Sequence, residues 1–123
     1  MNKKNVFGFI IFIFLFVSSS LSFADWKVIY TTTDLLETKG MLGYKPLKLY
    51  EGIRYGVVVK AISGEMDVEV LLFNPGDKLV AEGIKKSEGI LLLFTPDITE
   101  SEYKIVIRNK KDKTRLRLTL AHE

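Results

Sequence analysis

Residues 114–121 read Thr-Arg-Leu-Arg-Leu-Thr-Leu-Ala, and this stretch decides the fold class. Leucine occupies every second position, with arginine or threonine between the leucines. Successive side chains of a β-strand point to opposite faces, so this spacing places one apolar row on a core and one polar row toward solvent. The stretch therefore predicts a half-buried antiparallel strand.

The same period of two recurs earlier in the chain, at residues 55–61, 66–72 and 103–107. Turn-forming residues separate the runs, among them Asn-Pro-Gly-Asp at 74–77, which predicts a type II turn. The loop 109–113 is predicted to join the last two strands as a hairpin. The predicted strands cover residues 26–31, 46–50, 54–62, 66–73, 78–82, 89–95, 102–108 and 114–121.

Many short strands with evenly spaced turns indicate an all-β protein. We predict a jelly-roll or Greek-key β-sandwich of about eight antiparallel strands. Residues 33–38 are the one segment predicted as a short helical turn, which Thr33 or Asp34 would cap. The run 90–94 is apolar on both faces, which predicts a central strand covered by the partner sheet and by a loop or the segment 33–43.

The first 24 residues have the three zones of a secretory signal peptide. Lys3 and Lys4 form a positive start, and an apolar run covers residues 6–17. Serines follow this run, and Ser22-Phe23-Ala24 places small residues where signal peptidase requires them.

We therefore predict a signal peptide at 1–24, cleavage between Ala24 and Asp25, and a single mature domain at 25–123. The alternative is an uncleaved N-terminal membrane anchor. A spanning helix needs about 20 apolar residues, and the run here is shorter. The chain contains no cysteine, which excludes a lipid anchor of the lipoprotein type.

Composition excludes several classes of function. Two of the three net positive charges are Lys3 and Lys4, so the mature domain is nearly neutral and its charge predicts no nucleic-acid partner. The absence of cysteine excludes thiol catalysis, cysteine metal sites and disulfides. An exported domain without disulfides must be held by core packing and backbone hydrogen bonds.

From Lys45 onward the chain resembles the bacterial pre-peptidase C-terminal domain. The matching features are a strand, a glycine turn and a second strand at 47–59, a Gly-x-x-Asp strand at 64–70, the Asn-Pro-Gly-Asp turn, and the pair Phe94-Thr95-Pro96 and 103–107. The family pattern has glycine before the tyrosine of the penultimate strand, where this chain has Glu102. The resemblance implies a β-sandwich that acts as an accessory or binding module.

Leu-Phe-Thr-Pro at 93–96 and Glu-Tyr-Lys-Ile at 102–105 are also similar to the GOLD domain, a β-sandwich of secretory-pathway proteins. Typical GOLD proteins carry a disulfide and a C-terminal transmembrane helix, and this sequence shows neither. Some pre-peptidase domains bind calcium through acidic residues of their N-terminal segment. Residues 25–43 lack the ligand spacing of a calcium loop, so we do not extend that site to this chain.

Catalytic and metal-binding residues are sparse. His122 is the one histidine and is penultimate, where chain ends fray, and no serine lies in a Gly-x-Ser-x-Gly turn. Asp67 and Glu69 alternate with core residues and are predicted to be a solvated row rather than a glycosidase pair. Zinc is disfavoured, and we predict no catalytic residue, metal or cofactor.

Seven basic residues gather in and around the predicted last hairpin. They predict a face for phosphate groups of lipid, lipopolysaccharide or an anionic polymer. The alternative is a solvated sheet edge, on which lysines prevent edge-to-edge aggregation. The residues are Lys104, Arg108, Lys110, Lys111, Lys113, Arg115 and Arg117.

Aromatic residues concentrate in the N-terminal half of the mature domain. Trp26, Val28 and Tyr30 alternate as one face and are predicted to pack in the core. Tyr44 and Tyr50 are predicted to be exposed, where they could stack on sugar rings.

These patterns predict a small exported, non-catalytic β-sandwich, located in the periplasm or secreted. We expect it to bind or assist an envelope or secreted partner, which would be a protein or an envelope polymer. One alternative is a carbohydrate- or envelope-polymer-binding module, and another is a secreted enzyme of unknown type. No transmembrane segment is predicted in the mature chain.

Overall fold

A computed structural model describes residues 25–45, 48–63, 66–86 and 89–123. These residues form nine β-strands and no helix. The sequence predicted about eight strands, and the four runs with the clearest period of two are all strands. The strands are β1 (Lys27–Leu36), β2 (Met41–Tyr44), β3 (Tyr55–Ser63), β4 (Val68–Phe73), β5 (Leu79–Glu82), β6 (Ile84–Lys86), β7 (Gly89–Phe94), β8 (Lys104–Asn109) and β9 (Thr114–His122).

The strands form two antiparallel sheets, which confirms the predicted all-β sandwich. The five-stranded sheet has the order β1-β9-β3-β7-β6, and the four-stranded sheet has the order β2-β8-β4-β5. The last strand lies between the first and the third, so distant parts of the chain meet within one sheet.

The core lies between the two sheets and is built from the predicted apolar rows. On β9 the leucines at 116, 118 and 120 are at most 2% exposed, and the intervening arginines are exposed. Ile105 and Ile107 of β8 meet them from the opposite sheet and are equally buried. The alternation therefore sets which face of each strand is buried.

Both lateral edges of the sandwich are bridged by short connections. Residues 37–40 link β1 to β2, and Gly83 alone links β5 to β6. Each connection passes from one sheet to the other. A Cβ atom at Gly83 would collide with Cγ2 of Ile90 and lie 3.1 Å from Cβ of Val70, so the close crossing requires glycine.

The prediction that 109–113 is a hairpin loop is wrong. β8 and β9 belong to different sheets, and the loop between them crosses the sandwich. Asn109 shapes the crossing, because its buried side-chain Nδ2 donates to the carbonyls of Glu37 (2.9 Å) and Asp112 (2.8 Å). Its Oδ1 accepts from the Lys111 amide at 3.1 Å.

Two local predictions in the N-terminal part of the domain are also wrong, and one strand was missed. Residues 33–36 continue β1 and are not helical. Val28 and Tyr30 are 63% and 43% exposed, and Ile29 packs against the core instead. A register shift between them pairs Val28 with Ala121 on the outer face and Tyr30 with the core residue Leu120. β2 was not predicted at all, since only four residues form it.

Elsewhere the differences concern turns and strand neighbours. The positive φ of the 74–77 turn falls on Asp77 and not on Gly76, so the turn is not type II. Of the predicted strand 46–50, residues 46–47 lie outside the described residues and Leu49 forms an isolated bridge. The segment 33–43 does not cover β7, because β1 lies at the far edge of that sheet and β2 in the other sheet.

The predicted signal peptide, with its cleavage between Ala24 and Asp25, concerns residues 1–24, which lie outside the described residues. Among the residues that are described, none forms a helix able to cross a bilayer.

Candidate functional site

The structure divides the seven predicted anion-binding residues between opposite faces of the sandwich. Lys104 and Arg108 lie on β8 of the four-stranded sheet, whereas Arg115 and Arg117 lie on β9 of the five-stranded sheet. The three loop lysines, Lys110, Lys111 and Lys113, lie at the end of the sandwich between them. The seven residues therefore do not form one continuous face.

The basic residues on the four-stranded side have acidic neighbours. Lys104 Nζ lies 2.7 Å from Asp77, and Arg108 donates to Glu69 at 2.9 Å. Lys110 and Lys111 lie 3.8 and 4.0 Å from the carboxylate of Asp67. These pairs are exposed and contribute little to stability, but they cancel most of the local charge.

Arg115 and Arg117 have a different setting. Both are exposed on the outer face of the five-stranded sheet, where Arg115 is paired in register with Leu35 and Arg117 with Thr33 and Lys60. None of the residues paired in register with these two arginines is acidic.

Tyr44 and Tyr50, the predicted aromatic pair, have unlike environments. The Tyr44 hydroxyl is half-buried and donates to Asp34 Oδ2 at 2.6 Å, which links β2 of one sheet to β1 of the other. Burial and the Asp34 carboxylate raise the pKa of Tyr44 above its ordinary value. Tyr44 therefore has a structural contact, whereas Tyr50 is 49% exposed. Their binding to sugar rings stays a prediction.

Tyr50 belongs to two loops at one end of the sandwich, residues 48–54 and 95–103, which we call the loop pair. An antiparallel bridge joins them, with the Leu49 amide donating to Glu100 at 3.0 Å and the Glu100 amide returning to Leu49 at 3.1 Å. The side chain of Leu49 is 2% exposed and fixes the bridge to the core.

Further hydrogen bonds hold the backbone of the loop pair. The Glu51 amide donates to Thr99 Oγ1 at 2.9 Å, and the Gly52 amide donates to the Pro96 carbonyl at 3.1 Å. Gly52 has φ +77°, a conformation that favours glycine. The Tyr50 amide donates to the hydroxyl of Tyr55 on β3 at 2.9 Å, so the conformation of the loop pair is tied to the sheet.

The loop pair presents apolar side chains to solvent on this fixed backbone. Ile98 is 57% exposed and Tyr50 is 49% exposed, and Lys48 Nζ lies 5.5 Å from the Tyr50 ring centre. The two loops contain four acidic and two basic residues. The sequence indicated Tyr50 but not Ile98, although an isoleucine beside the Pro96-Asp97 turn signal is an unusual loop residue that marks the site.

The residues considered for catalysis or metal binding have other contacts. Asp67 and Glu69 form the ion pairs described above, and the His122 ring lies edge-on to Tyr55 with ring centres 6.4 Å apart. Within the described residues, no group of three or more acidic, histidine or cysteine side chains is arranged to hold a metal ion.

The fold of this chain has relatives among solved structures. No protein-family profile matches the chain, so its resemblance to pre-peptidase C-terminal and GOLD domains stays a prediction. No curated protein matches the sequence. Among solved structures, the chain is similar to the crystal structure of PliG from Aeromonas hydrophila, a periplasmic inhibitor of g-type lysozyme. The TM-score is 0.60 at 11% identity, covering 84% of this chain and 93% of PliG.

Proposed function

We propose that this protein is an exported, non-catalytic inhibitor that binds a wall-degrading enzyme, with a g-type lysozyme as the first candidate. The observation that supports this function most is the loop pair, in which exposed Tyr50 and Ile98 stand on a backbone held by the Leu49–Glu100 bridge. The likeness in fold to a lysozyme inhibitor extends over most of both chains and suggests which partner to test first.

The loop pair has the properties of a binding hot spot, the small part of a protein interface that contributes most of the binding free energy. Tyrosine is enriched among residues that dominate binding energy, and apolar neighbours exclude water around it. Because hydrogen bonds already fix the loops, binding would cost little conformational entropy. A pair of loops held by hydrogen bonds, with an exposed aromatic side chain, is suited to bind in a cleft of another protein.

The charge of the loop pair supports the same class of partner. Bacterial cell-wall glycan carries carboxylates on its peptide stems, so an enzyme that acts on it gains from a cationic cleft. The four acidic residues of the loop pair, against two basic ones, are complementary to such a cleft. Complementary charge raises the association rate and disfavours other partners.

The proposal places the protein in the periplasm or outside the cell, where the predicted signal peptide would deliver it. Its partner is a protein and not a nucleic acid, and no cofactor takes part. Asp67, Glu69 and His122 have the structural contacts described above, and we assign them no catalytic role.

Inhibition of cell-wall lysis tests the proposal. The chain is expressed with its own N-terminal segment, and the exported product is titrated into a g-type lysozyme acting on suspended bacterial walls. We expect lysis to stop at a near-stoichiometric ratio. The double variant Tyr50→Ala, Ile98→Ala should raise the concentration for half-inhibition by at least about tenfold, since interface centres contribute about 2 kcal/mol or more each.

A matched control is Met41→Ala, Val28→Ala, which truncates two exposed apolar residues outside the loop pair, 62% and 63% accessible. It should inhibit as well as the unmodified protein. Unimpeded lysis at tenfold molar excess of the protein, with g-, c- and i-type lysozymes alike, would refute the proposed function.

A further inference from the structure

The outer face of the five-stranded sheet is unusual in composition. Residues paired in register across neighbouring strands point to the same side of a sheet. Val58 of β3 is paired with Thr119 and with Leu91, and Leu91 is paired in turn with Ile84. These four side chains form a row across the sheet that is uncharged from β9 to the β6 edge.

A second uncharged row lies two residues closer to the loop pair. Gly56 is paired with Ala121 and with Leu93, and Ala121 is paired with Val28 at the β1 edge. Val28 and Ile84, at opposite edges of the face, are each 63% exposed. The two rows together make an apolar strip across all five strands, which is exposed at its edges, partly exposed at Val58, Leu91 and Leu93, and buried at Gly56 and Ala121.

Basic residues border this strip on the side that faces away from the loop pair. Arg117 is paired with Lys60, Arg115 follows one row further along β9, and Lys86 of β6 is paired with Gly89. By register, the described residues that point outward from the strands of this sheet include Arg115, Arg117 and Lys86 and no acidic side chain. Apolar and cationic surface therefore lie side by side on one face.

We propose that this face binds the surface of an anionic phospholipid bilayer. Apolar side chains make binding more favourable when they enter the boundary between headgroups and acyl chains, and cationic side chains are attracted to phosphate. Arginine is well matched to phosphate, because its guanidinium donates two parallel hydrogen bonds. This surface is separate from the loop pair, so the inference goes beyond the proposed inhibitor function.

The charge distribution favours lipid over the other occupants of such a face. A second copy packed on it would bring two cationic bands into one interface of low dielectric. An acidic protein would form ion pairs with the arginines. Its negative charge, however, would provide no apolar contacts for the strip. A bilayer supplies both components over the whole width of the sheet.

Vesicle sedimentation tests the proposal. The exported protein is mixed with vesicles of phosphatidylglycerol and phosphatidylcholine in equal parts, or of phosphatidylcholine alone. We expect binding to the anionic vesicles, lost at 0.5 M NaCl, and at least about tenfold weaker binding to neutral ones. Arg115→Glu, Arg117→Glu should weaken binding to anionic vesicles at least about tenfold.

Two sets of control variants test whether binding depends on this face rather than on the overall charge of the protein or on any exposed apolar residue. Lys104→Glu, Arg108→Glu makes the same change of charge on the opposite sheet and should retain more than half of the binding. Val28→Ser, Ile84→Ser should weaken binding several-fold, whereas Met41→Ser, at a comparably exposed position of β2, should not.

Four results would overturn the proposal. The first is equal binding to anionic and neutral vesicles, and the second is equal loss in the two double charge variants. The third is a dimer in light scattering that Val28→Ser, Ile84→Ser dissociates, because the face would then be an interface between copies. The fourth is an affinity for soluble polyglutamate equal to that for anionic vesicles, because the face would then bind an acidic polypeptide. Lysozyme inhibition is measured separately, so either function can fail alone.

Discussion

Asp34 and Tyr44 form a small polar contact at the edge where the two sheets meet. Asp34 lies on an edge strand in the same inward register as Leu36, and its Oδ2 accepts from Tyr44 at 2.6 Å and from Thr32 at 3.2 Å. An inward carboxylate is costly unless it is hydrogen-bonded. Placed on an edge strand, it also discourages pairing with other chains.

Tyr44→Phe removes the bond that joins the two sheets at this edge. We expect the free energy of unfolding at pH 7 to fall by about 1 kcal/mol. The loss is no larger because this hydrogen bond is partly exposed to water. Urea denaturation of the variant measures this loss. Tyr50→Phe, which changes an exposed hydroxyl in the loop pair, should lower stability by less than about 0.5 kcal/mol.

The same contact predicts a dependence on alkaline pH. The folded state raises the pKa of Tyr44, while unfolded tyrosines titrate near pH 10. The stabilisation is therefore complete below pH 10 and is lost as the pH rises above that value, because unfolding then releases a proton. Between pH 9 and 11 the unmodified protein should lose stability more steeply than Tyr44→Phe. Parallel curves would contradict this assignment.

Single residues show where sequence patterns stop being informative. Tyr44 and Tyr50 look alike in the sequence, since both are tyrosines beside turn-rich segments. Their difference arises from β1, which brings Asp34 to Tyr44 from another sheet. Only contacts between distant residues decide which tyrosine is available to a ligand.

Among the elements, β5 and β6 are joined by a very close crossing between the two sheets. One residue, Gly83, carries the chain from one sheet to the other, and its amide donates to the Val70 carbonyl at 2.7 Å. The side chains of Ile90 and Val70 occupy the space where a Cβ atom would lie. A side chain at position 83 would therefore disturb both the crossing and the packing of the core.

Gly83→Ala should destabilise the domain by about 2 kcal/mol, because the added methyl must displace packed core atoms. The matched control is Gly43→Ala on the edge strand β2, where a Cβ atom meets nothing within 4 Å. That change should alter stability by less than about 0.5 kcal/mol. Thermal or urea unfolding compares the two, and equal losses would show that the crossing is not tightly packed.

β3, β4, β8 and β9 are the strands whose period of two the sequence showed most clearly. The buried residues alternate with exposed or partly buried ones on β9 and β8, whereas much of both faces of β3 and β4 is buried. β2 and β6 were missed since strands of four and three residues contain too few alternations. A register shift at Val28 and Tyr30 hid the phase of β1.

Strand partners were less predictable than strands. Alternation tells which side of a strand is buried but not which sheet it joins, so the loop 109–113 was taken for a hairpin. The true crossing depends on buried Asn109 and its bonds to Glu37 and Asp112, which are 72 and 3 residues away in sequence. The split of the predicted basic face follows directly from this one connection.

At the scale of the whole molecule, the sandwich offers two separate surfaces. The loop pair occupies one end and presents Tyr50 and Ile98, while the apolar strip and the basic band cover the outer face of the five-stranded sheet. The sequence predicted the fold class, and it also singled out Tyr50, Arg115 and Arg117, whose roles in binding stay predictions. The other residues of the two surfaces come from strands or loops that meet only in the folded chain.

Hydrogen–deuterium exchange with and without a g-type lysozyme tests most directly whether the loop pair is the binding site. We predict that peptides covering residues 48–54 and 95–103 become protected in the complex, while those covering β1 and β9 exchange as in the free protein. Unchanged exchange in the loop pair, or protection confined to the outer face of the five-stranded sheet, would contradict the account.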